Sequence, residues 1–235
     1  MKNKVLLLTS LQNHVWTSMQ EIVPLIEDQW KSIGDDFSVS ILNCDSISLK
    51  DLAKEAMSAK LIVHTVFNTS VAKCARFLRE KLGLDTPWAI YLHGQATLGM
   101  WPYSQWGLLN LFKDSDLFVG TCEGDENALR LIFPDANFYM STFSFTPLEI
   151  GKNLEINHND HSFIYIGRMT SQKQLHQLIW AYSIACKDDS IKSDLHFFGS
   201  EDNLGSPNLG IKEKDYLSFL QKLTKSLELE KNIHF

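Results

Sequence analysis

Closely spaced cysteines are missing from this chain, and several protein classes go with them. Cys44, Cys74, Cys122 and Cys186 are scattered, with no CxxC pair and no Cys/His ligand spacing. That arrangement suggests neither a metal site nor a disulfide framework, and scattered reduced thiols fit a cytoplasmic protein. Long apolar runs are absent too. No stretch approaches the roughly 20 apolar residues of a membrane span, which leaves open only peripheral contact with a bilayer. The start, Met1-Lys-Asn-Lys-Val-Leu-Leu-Leu-Thr-Ser10, has a charged opening but a short apolar run and no small-residue cleavage site. It reads as a first strand rather than a signal peptide.

Positive charge is scarce. The formal net charge of −6 argues against a nucleic-acid partner held by phosphate contacts. One anionic ligand remains compatible, because a pocket needs only a few local donors. Glycine is missing where a dinucleotide fold would need it: no GxGxxG follows the first strand, which disfavours an oxidoreductase. The segment Thr9-Ser-Leu-Gln12 also lacks the acidic cluster of a phosphoacceptor domain. Internal repeats, charge blocks and low-complexity tracts are not found.

What is present is an alternation of short apolar runs with longer segments of helical spacing. The runs Val5-Leu8, Phe37-Leu42, Leu61-Val66, Trp88-Leu92, Leu117-Val119 and Asn137-Met140 read as strands buried on both faces. Between the first two, Met19, Ile22, Val23 and Ile26 recur at helical spacing, although Pro24 should weaken or bend that helix. Ser48 or Asp51 can cap a helix reaching Ala59. Thr69 or Ser70 can cap another through Leu82, stopped by Gly83. Gly124-Asp125 leads into a short helix that ends before Phe133-Pro134. The predicted fold class is α/β, with a doubly wound parallel sheet over residues 1–150.

A polar interval rich in Asn, Asp and His, residues 151–161, reads as a linker. The rhythm then restarts over residues 162–235 with strand Phe163-Ile166, helix Gln174-Lys187, strand Leu195-Phe198, helix Lys212-Leu227 and strand Asn232-Phe235. Two such units joined by a hinge would place a ligand cleft between them. The second is short for an open parallel sheet, which predicts an apolar surface without its covering layer and a chain that is the first part of a larger unit.

The segment Phe163-Ile-Tyr-Ile-Gly-Arg-Met-Thr-Ser-Gln-Lys173 carries the strongest chemical signal. An apolar strand delivers Gly167, Arg168 and Lys173 to one crevice. Glycine lets backbone come close, arginine offers a planar fork of donors, and lysine adds a compact charge. The helix that follows would aim its amides and positive dipole end at the same point. That set suits a diphosphate. A second candidate, His93 with Gly94 and Gln95, follows the Trp88-Leu92 strand at the edge where α/β sheets bind ligands. Ser10, ending the first strand, is a candidate phosphate donor. The aromatic segment Trp101-Pro-Tyr-Ser-Gln-Trp106 could stack on a sugar but reads more simply as packing. The acids Glu123-Gly-Asp-Glu126 read as a loop and helix start, not a metal site.

From Phe163 to Phe235 the chain resembles the start of the C-terminal domain in GT-B glycosyltransferases of retaining family 4. That family has a strand, then Gly-Arg-Leu, three variable residues, Lys-Gly and a helix. Gly167-Arg168-Met169, Thr170-Ser-Gln172 and Lys173-Gln174 match in spacing, with Ala181 in the helix. Leu195-His-Phe-Phe-Gly199, Leu227-Glu-Leu229 and Asn232-Ile-His-Phe235 match the next elements. Met169 and Gln174 replace Leu and Gly, and Thr9-Ser-Leu-Gln-Asn-His14 lacks glycines frequent in the family. The family's two glutamates seven residues apart would fall past Phe235, so the resemblance implies a C-terminally truncated and inactive fragment.

The resemblance implies a retaining transferase that moves a sugar from a nucleotide diphosphate sugar to a hydroxyl on a glycan, lipid or small molecule. No cofactor and no metal are implied. Arg168 and Lys173 would neutralise the departing diphosphate, and Gly167, Gly199 and Ser10 would line the donor site. The loop from Ser200 to Asn203 would lie beside the nucleotide, with Glu201 and Asp202 reading as ordinary loop acids. His93 would contact the donor sugar or acceptor, and Gly94 and Gln95 would face the acceptor. Two other readings stay open: a nucleotide-sugar epimerase of GT-B type, and a non-catalytic nucleotide-sugar-binding or partner subunit.

Overall fold

The computed structural model describes residues 2–10, 17–66, 68–93, 109–142, 162–187, 193–201 and 215–235. The chain divides into two compact units, Met1–Pro147 and Leu148–Phe235. The interval 151–161 lies outside the described residues, as do Asp202 and the aromatic segment at 101–106.

The first unit is built on six strands: β1 (Asn3–Thr9), β2 (Phe37–Asn43), β3 (Leu61–His64), β4 (Trp88–Tyr91), β5 (Leu117–Gly120) and β6 (Asn137–Met140). They pair in the order β2-β1-β3-β4-β5-β6, every pair parallel. The strands alternate with α1 (Thr17–Lys31), α2 (Leu49–Ala56), α3 (Thr69–Arg76) and α4 (Glu123–Arg130). This is a doubly wound α/β sheet of Rossmann-like type. The order reverses at β1, so the crevice between the carboxyl ends of β1 and β3 is its natural ligand position.

Continuous apolar strands produce the expected burial on both faces at the centre. Leu6, Leu8, Ile62, Trp88, Ile90 and Phe118 pack on one side with Leu52 of α2 and Val71 of α3. Val5, Leu7, Val63 and Ala89 pack on the other with Trp30 of α1. Helix α1 runs unbroken through Pro24. An interior proline costs about 3 kcal/mol, and the burial of Met19, Val23 and Ile26 around it is large enough to offset that.

The start of α2 follows the sequence reading, although the helix ends at Ala56 and not Ala59, and the start of α3 departs from it. Ser48 caps α2 as expected, accepting from Asp51 N at 3.1 Å and donating to its carboxylate at 2.6 Å. For α3 the cap is Asn68, not Thr69 or Ser70: its Oδ1 accepts from Ser70 N and Val71 N, each at 3.1 Å. Helix α3 then widens into a π turn over Phe77–Lys81. That turn carries Arg79, which is buried 4.0 Å over the Trp88 ring and 2.7 Å from Asp116. Asp116 also accepts from the backbone of Trp88 and Lys113 at 2.9 and 2.8 Å. The cluster fixes the amino-terminal edge of the sheet.

The second unit has β7 (Phe163–Ile166), β8 (Leu195–Phe198) and β9 (Ile233–His234), all parallel in that order, with α5 (Leu175–Lys187) and α6 (Tyr216–Ser226). One sheet face is a core of Leu195, Phe197 and Ile233 packed on Ile179 of α5 and Leu220 of α6. The other face is open among the described residues: Ile164, Ile166 and Phe198 are 61%, 80% and 54% exposed. Of all described helices, none is long and apolar enough to cross a membrane.

Candidate functional site

At the crevice of the first unit, β1 ends in Ser10, which is fully buried. Its hydroxyl donates to Asp45 Oδ1 at 2.7 Å and accepts from Asn68 Nδ2 at 2.9 Å. Asp45 follows β2 and Asn68 caps α3, so three strand-to-helix junctions meet at one hydroxyl. Its single proton is committed to Asp45. Ser10 is therefore a brace of the crevice, and the expected phosphate contact would require breaking that bond.

His93 stands beyond the end of β4, half-buried, with its ring stacked on Tyr91 at 6.4 Å. Its Nε2 lies 2.8 Å from the Thr65 carbonyl. A carbonyl only accepts, so Nε2 carries the proton and Nδ1 is the basic nitrogen of the neutral ring. Thr65 is tied in turn to β1, its N–H donating to the Leu8 carbonyl at 3.1 Å. His93 is thus oriented by the same crevice that holds Ser10. Gly94 and Gln95 lie outside the described residues.

The acids after β5 have a local explanation. Asp125, buried in the first turn of α4, accepts from Thr121 N at 2.9 Å and from its hydroxyl at 3.2 Å. Asp125 thereby ties the first turn of α4 back to the end of β5, while the N-cap residue Cys122 makes no side-chain cap bond. A cavity of about 180 Å³ opens instead at the opposite, amino-terminal edge, among Phe112, Lys113, Asp116, Phe118, Phe133 and Ala136. None of the predicted site residues lines it. At the carboxyl edge, a space of about 20 Å³ between Tyr91, Val119, Thr121 and Ser141 is room for about one water.

In the second unit, β7 runs directly into Gly167 and Arg168, and β8 into Gly199 (φ 151°). Gly167 N donates to the Phe198 carbonyl and Met169 N to the Ser200 carbonyl, both at 2.9 Å. Pairing therefore continues past both strand ends, with Met169 bridging Glu201. A Cβ on Gly199 would lie 1.9 Å from the Gly167 carbonyl oxygen, and one on Gly167 would lie 2.8 Å from the Tyr165 hydroxyl. The two glycines make this close approach, and Arg168 emerges from it. Tyr165 donates to the Arg168 carbonyl at 2.9 Å, fixing the backbone that carries the guanidinium.

The turn to Lys173 differs from the expectation. Ser171–Lys173 form a 3₁₀ turn and Gln174 is left-handed, with φ 55°, so α5 begins at Leu175. Amides in this turn are already bonded. Lys173 N donates to the Thr170 carbonyl, Gln174 N to that of Ser171, and Gln177 N to that of Gln174. His176 N donates to the Tyr216 hydroxyl at 3.3 Å. The amides of Lys173, Gln174, His176 and Gln177 are thus engaged within the chain and not open to the anion contact expected of them. Glu201 is engaged structurally as well, since its carboxylate accepts from Leu217 N at 2.9 Å and caps α6, where Asp215 makes no side-chain cap bond.

The sequence reading missed the Ser10–Asp45–Asn68 brace, whose only local signal is an Asx residue following each of β2 and β3. It also missed Asp194, His196 and His234, which strand pairing brings together. No protein-family model matches the chain, and no curated protein matches it.

Proposed function

We infer that the chain is a glycosyltransferase of GT-B type, or the donor-gripping part of one, taking a sugar from a nucleotide diphosphate sugar to a hydroxyl acceptor with retention. The observation that carries the reading is the approach of Gly167 to Gly199 at the carboxyl ends of β7 and β8, from which Arg168 emerges. Such an edge is where parallel sheets take ligands. Two close-packed glycines leave backbone exposed to a ligand, while Arg168 and the exposed Lys173 supply positive charge beside it. As the sugar departs, negative charge builds on the diphosphate, and positive side chains held near it would lower the barrier. His93, oriented through Nε2 at the carboxyl edge of the first sheet, would contact a sugar or acceptor hydroxyl.

The test is calorimetric titration of the whole protein with uridine, guanosine and adenosine diphosphate sugars, repeated with Arg168→Ala. One donor should bind, and Arg168→Ala should weaken it at least tenfold and slow transfer without lowering the urea midpoint. Absence of binding by all three donors overturns the reading. Equal affinity and turnover in the variant remove Arg168 from the site. Binding without transfer to any acceptor would favour the non-catalytic subunit.

A further inference from the structure

The second sheet carries a polar cluster on its otherwise apolar open face. His196 of β8 and His234 of β9 are register partners in parallel strands. Their rings stack with centroids 4.6 Å apart and planes 23° apart, close to the spacing of neighbouring strands. Asp194 lies two residues before His196, so the strand period brings its carboxylate to the same face. One ligand atom from each of the three lies within 4.8 Å of the others.

We propose that Asp194, His196 and His234 form a binding site for a borderline divalent cation of the zinc class, clipping β9 to β8. Two imidazoles and one carboxylate are a recurrent donor set for such ions, whereas magnesium and calcium demand oxygen ligands. Geometry favours it as well. His234 Nε2 lies 3.2 Å from Asp194 Oδ2. Two ligands of one tetrahedral ion, each about 2.1 Å from the metal, are separated by roughly 3.4 Å. That pair is at ligand spacing already, and a ring nitrogen of His196 lies within 4.8 Å of both ligand atoms.

The second layer of contacts fits the same reading. Asn232 Nδ2 lies 3.3 Å from Asp194 Oδ1, orienting the carboxylate so that Oδ2 meets His234. The backbone beneath is fixed on both sides: Phe163 N donates to the Asp194 carbonyl and Leu195 N to that of Asn232, each at 2.8 Å. Outer contacts that hold a ligand's orientation are a usual part of metal sites. The fourth position would be filled by water or by an incoming donor. Strand β9 has only two residues, so a shared ion would add its main lateral tie. The site stands on the sheet face and is independent of the reading of Arg168 and Gly199.

The full chain, freed of metal with a chelator, should be titrated with Zn²⁺ by calorimetry and with Co²⁺ by visible absorption. The expected result is one equivalent bound, ligand-field bands of a four-coordinate Co²⁺ site, and a higher melting temperature with Zn²⁺ present. His196→Asn and His234→Asn should each weaken binding at least tenfold and abolish the thermal gain. If either fails to fold in chelator, Asp194→Asn, on the same face but outside the strand, provides the same comparison. Absence of Zn²⁺ binding overturns the site. So does one-equivalent binding that survives these substitutions, or a preference for Mg²⁺ over Zn²⁺.

Discussion

Gly199 cannot carry a side chain because the carbonyl oxygen of Gly167 occupies the position, 1.9 Å from where a Cβ would stand. Backbone, unlike a side-chain tip, cannot rotate away. Gly199→Ala should therefore push β7 and β8 apart and destabilise the second unit by about 3 kcal/mol. Gly167→Ala, at φ 155°, meets side-chain atoms of Tyr165, the hydroxyl at 2.8 Å and Cζ at 3.1 Å, and no backbone that close. Its loss should be smaller, and Tyr165→Phe should restore part of it by removing that oxygen. Urea midpoints of the single and combined variants measure the ranking; equal losses at the two glycines would contradict it.

His64 sets an acid limit on the first unit. It is fully buried, its ring 4.7 Å from Trp88. Burial first, and the charge of Arg79 second, push its pKa down to about 3. An unfolded histidine titrates near 6.5, so below that pH the unfolded chain takes up a proton that the folded chain refuses. Stability is complete above about pH 6.5 and falls as pH drops toward 3. Between pH 6.5 and 4.5 the wild type should lose up to about 1.4 kcal/mol per pH unit more than His64→Asn does. Parallel pH profiles for the two proteins would show that His64 charges freely.

Backbone conformation gives a simpler test at Gln174, which holds φ 55° and ψ 34° where the chain leaves the 3₁₀ turn and enters α5. A side chain in that region costs about 1 kcal/mol relative to glycine. Its carbonyl accepts from Gln177 N and Leu178 N, contacts that belong to the main chain alone. Gln174→Gly should raise stability by about 1 kcal/mol, while Gln174→Ala should change little. A destabilised glycine variant would mean that the Gln174 side chain, not its backbone, holds the turn.

These cases mark what could be read from the sequence. The inner strands of the first unit were legible because Leu6, Ile62 and Ile90 sit in apolar runs that need cover on both faces; the edge strands β2 and β6 do not have the two-sided burial expected of them. The opening of the second unit was legible because Gly167 and Gly199 end such runs. Commitments between distant residues were not. Ser10 looks like a free hydroxyl until Asp45, 35 positions away, takes its proton. His196 and His234 acquire a common face only through the register of a two-residue strand. Asn68, Thr69 and Ser70 all have capping chemistry, and the one that caps, Asn68, also bonds Ser10, a contact that sequence spacing does not reveal.

That choice at Asn68 can be tested by separating its two roles. Its Oδ1 caps α3 through Ser70 N and Val71 N, while its Nδ2 donates to Ser10, whose proton goes on to Asp45. Aspartate caps helices as well as asparagine does and suits the positive end of the dipole. If capping were the whole of its role, Asn68→Asp would be neutral. The second carboxylate oxygen would instead face Ser10 Oγ, leaving two carboxylates to share one hydroxyl proton. Asn68→Asp should thus lose about 1–2 kcal/mol at neutral pH, close to the loss from removing the cap in Asn68→Ala. In a Ser10→Ala background the aspartate penalty should shrink while the alanine penalty persists. A double-mutant cycle on urea midpoints measures the difference, and an aspartate variant as stable as the wild type would show that the bond between Asn68 and Ser10 contributes nothing.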